Sequence, residues 1–445
     1  MSRKVVIVGG VAAGMSAATK IRRTDPSIEV RVYEAGEFSS YGACGLPYYV
    51  SGVMPDWRAM VIRTPERYRD EGIDMRMRHR VVKVYPEERR LLVKRLDSGE
   101  SFMDSYDELV WAAGAAPIRP GVPGMDLQGV FTLGDIPDGR AIRAAALDPA
   151  VRSVVIVGGG FIGMELAESF VALGKKTTVL EKAQSILGVF DPEFSALAAD
   201  EARRHGVDVR QGEGLVAVEG ARRVESVRTD SSLGALEADL VVVAVGVRPS
   251  TAPLEEAERL ANGALVVDER GRTSLPGVWA AGDAATVRHM ITGLDTHVPL
   301  GTYANKAGRV VGENVAGGDA VMRPALGTSA LRVLGLEIAK TGIGQSEAVR
   351  FGIEHRAVTV EAPNRATYYP DHDPLTVKLV YEPGSRRLLG AQIAGKKDAA
   401  LRIDVFATAI SAGLDCGRVG FLDLCYAPPF SAVWDAIHVA ANAAK

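Results

Sequence analysis

The sequence predicts an α/β protein with two Rossmann-like dinucleotide-binding units and an α+β C-terminal segment, on three observations. KVVIVGGVAAGMSAATKIRR followed by EVRVYE reads as strand, glycine turn, amphipathic helix and second strand. The same grammar returns in SVVIVGGGFIGMELAESFVALGKKTTVLEK, residues 153–182, so the chain carries two nucleotide sites rather than one long unit. From about residue 323 the texture changes to short strands such as LTVKLVYE and LLGAQIAG. Helical stretches follow near 397–412 and 431–444, without a further glycine fingerprint.

A chain of 445 residues is too long for one ordinary core and calls for two or three domains. Its formal net charge of -3 argues against nucleic acid or an anionic membrane as partner, so any anion must be met by a local group of cations. No apolar run approaches the roughly 18 residues that cross a bilayer, and the apolar start of MSRKVVIVGG is too short for a signal peptide. A cytoplasmic protein is expected. Cys44, Cys416 and Cys425 are too few and too scattered for a disulfide framework or a zinc site, and no metal is expected.

In the first unit GGVAAG keeps Gly9, Gly10 and Gly14 but puts Val11 where the middle glycine of G-x-G-x-x-G belongs, so a pyrophosphate is expected to sit slightly differently there. Glu34 closes the next strand as a ribose acceptor. YDELVWAAGAAPIRP then places a buried strand before a small-residue turn at 112–114, where Ala113 and Gly114 let backbone approach a ligand. In the second unit Gly158, Gly160 and Gly163 fit the fingerprint, and Glu181 ends the following strand. The glycines supply the turn, the close approach to pyrophosphate and the helix packing, with the phosphates at the helix N-terminus. Glu181 would hold a free ribose diol and repel a 2'-phosphate, which favours NADH, while Lys182 leaves NADPH possible. ADLVVVAVGVRPS and LPGVWAAGDAA are buried strands that run into the turns at Gly246 and Asp283.

Two dinucleotide units together with WAAGAAP and VWAAGD resemble the glutathione-reductase-like family of flavoprotein pyridine-nucleotide oxidoreductases over nearly the whole chain. The resemblance implies an FAD-binding domain over 1–118 and 247–322, with an NAD(P)H-binding domain inserted in it over 119–246. It further implies a C-terminal α+β dimerisation domain over 323–445, and Asp283 on the ribityl and phosphate part of the flavin. Members named for disulfide chemistry carry a C-x-x-x-x-C pair, whereas Tyr49 stands five residues past Cys44 here. The family's H-x-x-x-x-E pair is absent too, and His438, with Asn442 four residues on, reads as a packing or interface histidine. The single-cysteine branch fits better. Ser40-Tyr41-Gly42-Ala43-Cys44 matches the S-x-x-x-C of coenzyme A-disulfide reductases, NADH oxidases, NADH peroxidases and persulfide reductases, and CGLPYY and YAPPF point to the coenzyme A-disulfide and persulfide reductases. The chain stops at Lys445, so the rhodanese domain appended to some relatives is expected to be missing.

Cys44 is the expected nucleophile, with Gly42, Ala43 and Gly45 leaving room for a substrate sulfur and a flavin ring. A thiol needs a helix N-terminus, a cation or an oxidised flavin beside it to be thiolate at neutral pH, and the resemblance supplies the flavin and a helix start. Cys416 and Cys425 read as small packing residues. Without a resolving cysteine, Cys44 must exchange with an external disulfide, a persulfide or a peroxide. Ser16, Lys20 and Arg23 form one polar stripe on the first helix, with Arg22 beside it; the residues alone fit a solvated face as well. The resemblance places this stripe, with Ser40 and Asn305, on coenzyme A, although Ala43 and Trp434 stand where some relatives have asparagine and lysine. It also implies that Tyr426 and Tyr368 reach from one subunit over the cysteine of the other, where a phenol can protonate a leaving thiolate, so a homodimer with shared sites is expected. The resulting expectation is an FAD-dependent NAD(P)H oxidoreductase reducing coenzyme A disulfide through a Cys44–S–S–CoA mixed disulfide. The alternatives are a coenzyme A-persulfide or polysulfide reductase, an NADH oxidase or peroxidase using a Cys44 sulfenic acid, and a flavin- and NADH-binding redox sensor.

Overall fold

Val5, Val6 and Ile7 have no exposed surface, as a strand flanked on both faces by packed layers requires. This strand, Lys4–Val8, is the centre of a five-stranded sheet in the computed structural model, which describes residues 3–232 and 234–445. Met1 and Ser2, at the head of the first unit, and Leu233 lie outside the described residues. Its order is Val278–Ala280, Glu108–Trp111, Lys4–Val8, Glu29–Glu34, Ile73–Met77, parallel throughout. The edge strand on the outer side of Glu108–Trp111 therefore comes from a segment more than 160 residues later in the chain. Two side-chain bonds fix that return: Trp111 Nε1 donates to the Ser250 carbonyl at 2.9 Å and Trp279 Nε1 to Glu108 at 2.7 Å.

The intervening chain forms a second five-stranded parallel sheet, in the order Asp208–Gln211, Lys176–Glu181, Ser153–Val157, Leu240–Val243, Val130–Thr132. The second nucleotide unit is thus inserted in the first. Where the chain enters and leaves it, Ala115–Pro117 and Val247–Pro249 pair as a short antiparallel ribbon. The C-terminal part is an antiparallel sheet, ordered Ser329–Val333, Leu336–Gly342, Leu388–Gly395, Pro374–Tyr381, Arg356–Pro363. The helices Ile403–Ser411 and Ala436–Ala443 pack on it. Leu388–Gly395 is buried along its whole length rather than on alternate residues, because the strand is central and covered on both faces. Among the described residues no helix is long and apolar enough to cross a membrane.

One helix pair matters for the site. Gly308 and Gly312 of the helix Gly301–Val315 face the first helix, Ala12–Thr24, so closely that a Cβ on them would lie 2.2 Å from the Ala13 carbonyl oxygen and 2.6 Å from that of Ala17. Only glycine permits this crossing, and it brings the side chains of the two helices into one wall.

Candidate active site

Both glycine turns are built to one plan. Gly9 and Gly158 each adopt φ +108°, and a Cβ there would strike the carbonyl oxygen of Ala112 or Ala244; one on Gly14 or Gly163 would lie 1.9 Å from the Gly9 or Gly158 oxygen. Glu34 accepts from the N–H groups of Gly10 and Gly36, and Glu181 from those of Gly159 and Ala183. Each carboxylate therefore knits its own turn, a role that the fingerprint does not announce, and burial pushes the Glu34 carboxyl up against the pull of those N–H donors. The turns differ at the helix entry. Gly160 has ordinary backbone angles, and a Cβ on it would meet nothing within 4 Å, so no contact among the described residues requires glycine there. Val11 fills the equivalent place in the first unit. Neither helix has a side-chain cap, which leaves the first-turn N–H groups free for a pyrophosphate.

Gly114 (φ +64°) and Gly246 (φ +110°) form the turns after Glu108–Trp111 and Leu240–Val243, with Ala113 beside the former. Asp283 sits in a short turn after Val278–Ala280. Its carboxyl is pushed up by burial, and among the described residues no hydrogen-bond donor reaches it. A half-buried carboxylate without a donor suits the hydroxyls of a ribityl chain, so these residues fit a dinucleotide of the flavin type.

Cys44 lies in a 3-10 turn, Ala43–Gly45, that leads into the helix Leu46–Ser51. Gly42 borders open space as expected, but Gly45 does not: a Cβ there would lie 2.9 Å from Met60 Sδ, so its smallness serves packing. The thiol is exposed, yet its pKa is raised, first by burial among protein atoms and then by the charges of Glu165 and Asp283. The described residues supply the helix start but no cation to stabilise a thiolate. Glu165, on the helix Phe161–Ala172, is itself pushed up to about 7 by burial and by Glu168, against a 3.4 Å hydrogen bond from the Tyr48 hydroxyl. No motif in the sequence marks this pair. Because the folded value lies above the ordinary 4.5, the folded state loses stability as pH rises from 4.5 towards about 7. Glu165→Gln is expected to relieve that loss and to lower the Cys44 pKa, so that iodoacetamide alkylation of Cys44 moves to lower pH. An unmoved alkylation profile would show that the carboxylate's field does not reach the sulfur.

A cleft of about 500 Å³ gathers all five residues expected on the substrate, Ser16, Lys20, Arg23, Ser40 and Asn305, across the glycine-mediated helix crossing. Ser16 donates to Asn305 Oδ1 at 2.9 Å. Ser40, at φ +47°, donates its N–H to the Gly10 carbonyl and so ties the cysteine loop to the first glycine turn. Arg63, Lys306 and Arg309, which sequence reasoning passed over, line the same cleft. Arg309 was within reach of it, since it follows Asn305 by four residues on one helix face. Lys20 is paired with Glu313 and Arg63 with Glu71, whereas among the described residues Arg23, Lys306 and Arg309 have no carboxylate partner. Arg22 is outside the cleft, its guanidinium spent on the carbonyls of Pro26 and Ile28.

Tyr368 and Tyr426 are 74% and 47% exposed on the C-terminal part, their hydroxyls 3.0 Å apart. That bond pushes the Tyr426 phenol up. Phe421, Phe430 and Val433 are exposed too, as is Trp434, whose ring meets Phe421 and His438 edge-on. His438 is a packing residue: Nε2 lies 2.8 Å from the Leu422 carbonyl and Nδ1 accepts from Asp435 N–H. Cys416 is buried as expected, but Cys425 is exposed beside Tyr426, which corrects its reading as a packing residue.

The pyridine nucleotide-disulphide oxidoreductase pattern matches residues 3–308, and that of the corresponding dimerisation domain residues 328–437. The chain is 39% identical to the NAD(P)H sulfur oxidoreductase (CoA-dependent) of Pyrococcus abyssi, over all of this chain and 99% of that protein. Among solved structures, reduced CoADR-RHD of Bacillus anthracis superposes with a TM-score of 0.96 at 34% identity, over 100% of this chain and 80% of the other. The NAD-dependent persulfide reductase of A. fulgidus does so with a TM-score of 0.95 at 33% identity, over 99% and 82%.

Proposed function

The chain belongs to the pyridine nucleotide-disulphide oxidoreductase family, and from that premise we propose that it uses NAD(P)H, with NADH preferred, to reduce the disulfide of coenzyme A through Cys44. The observation that carries the substrate is the cationic cleft beside the cysteine loop, where Arg23, Lys306 and Arg309 stand without carboxylate partners among the described residues. Dioxygen or peroxide would need no such cleft. A phosphate-rich adenosine end would, because three unpaired cations on two rigid helices match several phosphates at once.

Bound FAD would supply the two-electron relay between nicotinamide and sulfur; the chain's own residues do the rest. Glu34 and Glu181 hold the two turns, and Asp283 would hold the ribityl part of the flavin. Cys44 thiolate attacks one sulfur of coenzyme A disulfide, the first coenzyme A leaves as thiolate, and a tyrosine hydroxyl protonates it. The Cys44–S–S–CoA bond left behind takes up the two electrons that originate in NAD(P)H, which releases the second coenzyme A and restores the Cys44 thiolate. The sum is one NAD(P)H and one proton consumed for two thiols formed. Tyr368 and Tyr426 lie exposed on the dimerisation part, and we assign them to the partner subunit's Cys44.

A second reading, in which the same site reduces coenzyme A persulfide or polysulfide, is favoured by the likeness to the A. fulgidus persulfide reductase. Mass spectrometry of the Cys44 peptide, from protein exposed to substrate at limiting NADH, separates the readings. A mass gain of one coenzyme A is expected; an added sulfur atom in its place would favour the persulfide, and only sulfenic or sulfinic acid would overturn both.

A further inference from the structure

DPEF at 191–194 has the look of a helix start that caps itself, with Asp191 as N-cap and Pro192 at the first helical position. The helix Pro192–Arg204 does begin there, but the Asp191 side chain makes no bond to it. Its carboxylate turns away and accepts instead from the N–H groups of Gln345 and Ser346, both at 2.9 Å. Those are the first residues of the helix Gln345–Arg350, in the C-terminal part, and the N-cap of that helix is Gly344, which has no side chain to offer. Asp191 is 1% exposed, and Gln392 Nε2 at 2.7 Å and Lys378 Nζ at 3.0 Å complete its shell. Its own N–H donates to Gln392 Oε1 at 2.8 Å. A few residues upstream, Lys340 donates to the Val189 carbonyl at 2.8 Å and pairs with Glu347 at 2.7 Å. Val189 and Asp191 are thus both held from the C-terminal side.

The chain just before them lies on the second glycine turn. Leu187 N–H donates to the Gly159 carbonyl at 2.8 Å, and a Cβ on Gly159 would lie 2.5 Å from Ile186 Cγ2. Leu187 is held at φ +50°, a conformation that a branched residue keeps only when its surroundings fix it. The Phe190 ring meets that of Phe161, the first residue of the helix that opens at the turn, at a tilt, with centroids 6.2 Å apart.

We propose that Asp191 is a positioning residue for the nicotinamide dinucleotide: by capping a helix of the C-terminal part rather than its own, it fixes residues 183–190 against Gly158–Gly160 and so sets the shape of the second turn. The inference rests on the reading that this turn takes NADH. It makes the dimerisation part a support for cofactor binding, quite apart from anything its tyrosines do.

The test separates capping from positioning. Asp191→Ala holoenzyme should melt at a lower temperature and need roughly ten- to a hundredfold more NADH for half-maximal flavin reduction, because a turn no longer held in its binding shape must be ordered when the dinucleotide binds. The limiting rate at saturating NADH should stay within about threefold, since no reacting atom is touched. Asp191→Asn, which can still accept one N–H through its amide oxygen, should fall between, and serves if the alanine variant does not fold. Into Asp191→Ala we would add Gly344→Ser. Gly344 has φ -76°, which serine adopts without strain, and the atoms a Cβ would crowd there are those of Asp191 itself and the end of Gln392. The new hydroxyl caps the Gln345–Arg350 helix locally and should restore the melting temperature, while the NADH requirement stays raised. Recovery of both would reduce Asp191 to a cap and overturn the proposal, as would an unshifted NADH requirement in Asp191→Ala and Asp191→Asn. Wild-type flavin that NADH fails to reduce would instead overturn the reading of the second turn, and this inference with it.

Discussion

Cys44→Ser is expected to keep its flavin and its reduction by NADH, yet to lose reduction of coenzyme A disulfide by roughly a thousandfold or more. The substitution is close to isosteric, and Cys44 packs no core: it is exposed, in a turn whose backbone bonds are made by Gly42 and Gly45. Folding and the two glycine turns should therefore be untouched. Hydride transfer does not involve the thiol, whereas disulfide exchange requires a sulfur nucleophile that serine cannot replace. Stopped-flow flavin reduction beside steady-state thiol release gives both numbers from one preparation. Retained disulfide turnover would sink the mechanism; oxygen consumption alone would not, since reduced flavin reacts with oxygen directly.

The second large effect belongs to the tyrosines. A Tyr368→Phe, Tyr426→Phe double variant should lose roughly ten- to a thousandfold in coenzyme A disulfide reduction, the range for removing a proton donor to a leaving group. Both side chains are exposed and bond chiefly to one another, so their loss should leave the fold intact. If they serve the partner's cysteine, this variant and Cys44→Ser each lack one half of every site. A mixed dimer then holds one site with cysteine and tyrosines together and one site with neither. Refolding equal amounts should raise activity above both parents, towards about a quarter of wild type, because half the dimers are mixed and each has one good site. No recovery in verified mixed dimers of full flavin content would place the tyrosines with their own chain's cysteine or outside catalysis.

The glycine fingerprints were legible because a left-handed φ and a Cβ-free contact leave one residue type: Gly9, Gly14, Gly158 and Gly163 cannot be anything else. The stripe of Ser16, Lys20 and Arg23 was legible as a pattern, and the resemblance joined Asn305 to it, but Lys306 and Arg309 on the same facing wall, nearly 300 residues away, carry no pattern that links them to the stripe. Arg22, beside the same stripe, shows why the pattern alone was ambiguous; it points to its own helix end. Glu165 and Tyr48 escaped because their pairing depends on how one unit's helix packs on the other's cysteine loop. Asp191 went unread in the sequence for a related reason. Its local signal names one helix, and tertiary packing gives its carboxylate to another.

The crossing of Gly308 and Gly312 on Ala13 and Ala17 leaves no room for a single added methyl group. The helix that begins at the first glycine turn also forms one wall of the cleft, so widening that cleft by moving a helix would distort the turn as well. Diversification of such a site over evolutionary time falls to exchanges at the tips of side chains, because the helix frame is shared with the turn. A lineage can trade Lys20, Arg23 or Arg309 for neutral residues and turn from a polyphosphate thiol to a smaller acceptor, but it cannot do so by hinging the walls apart.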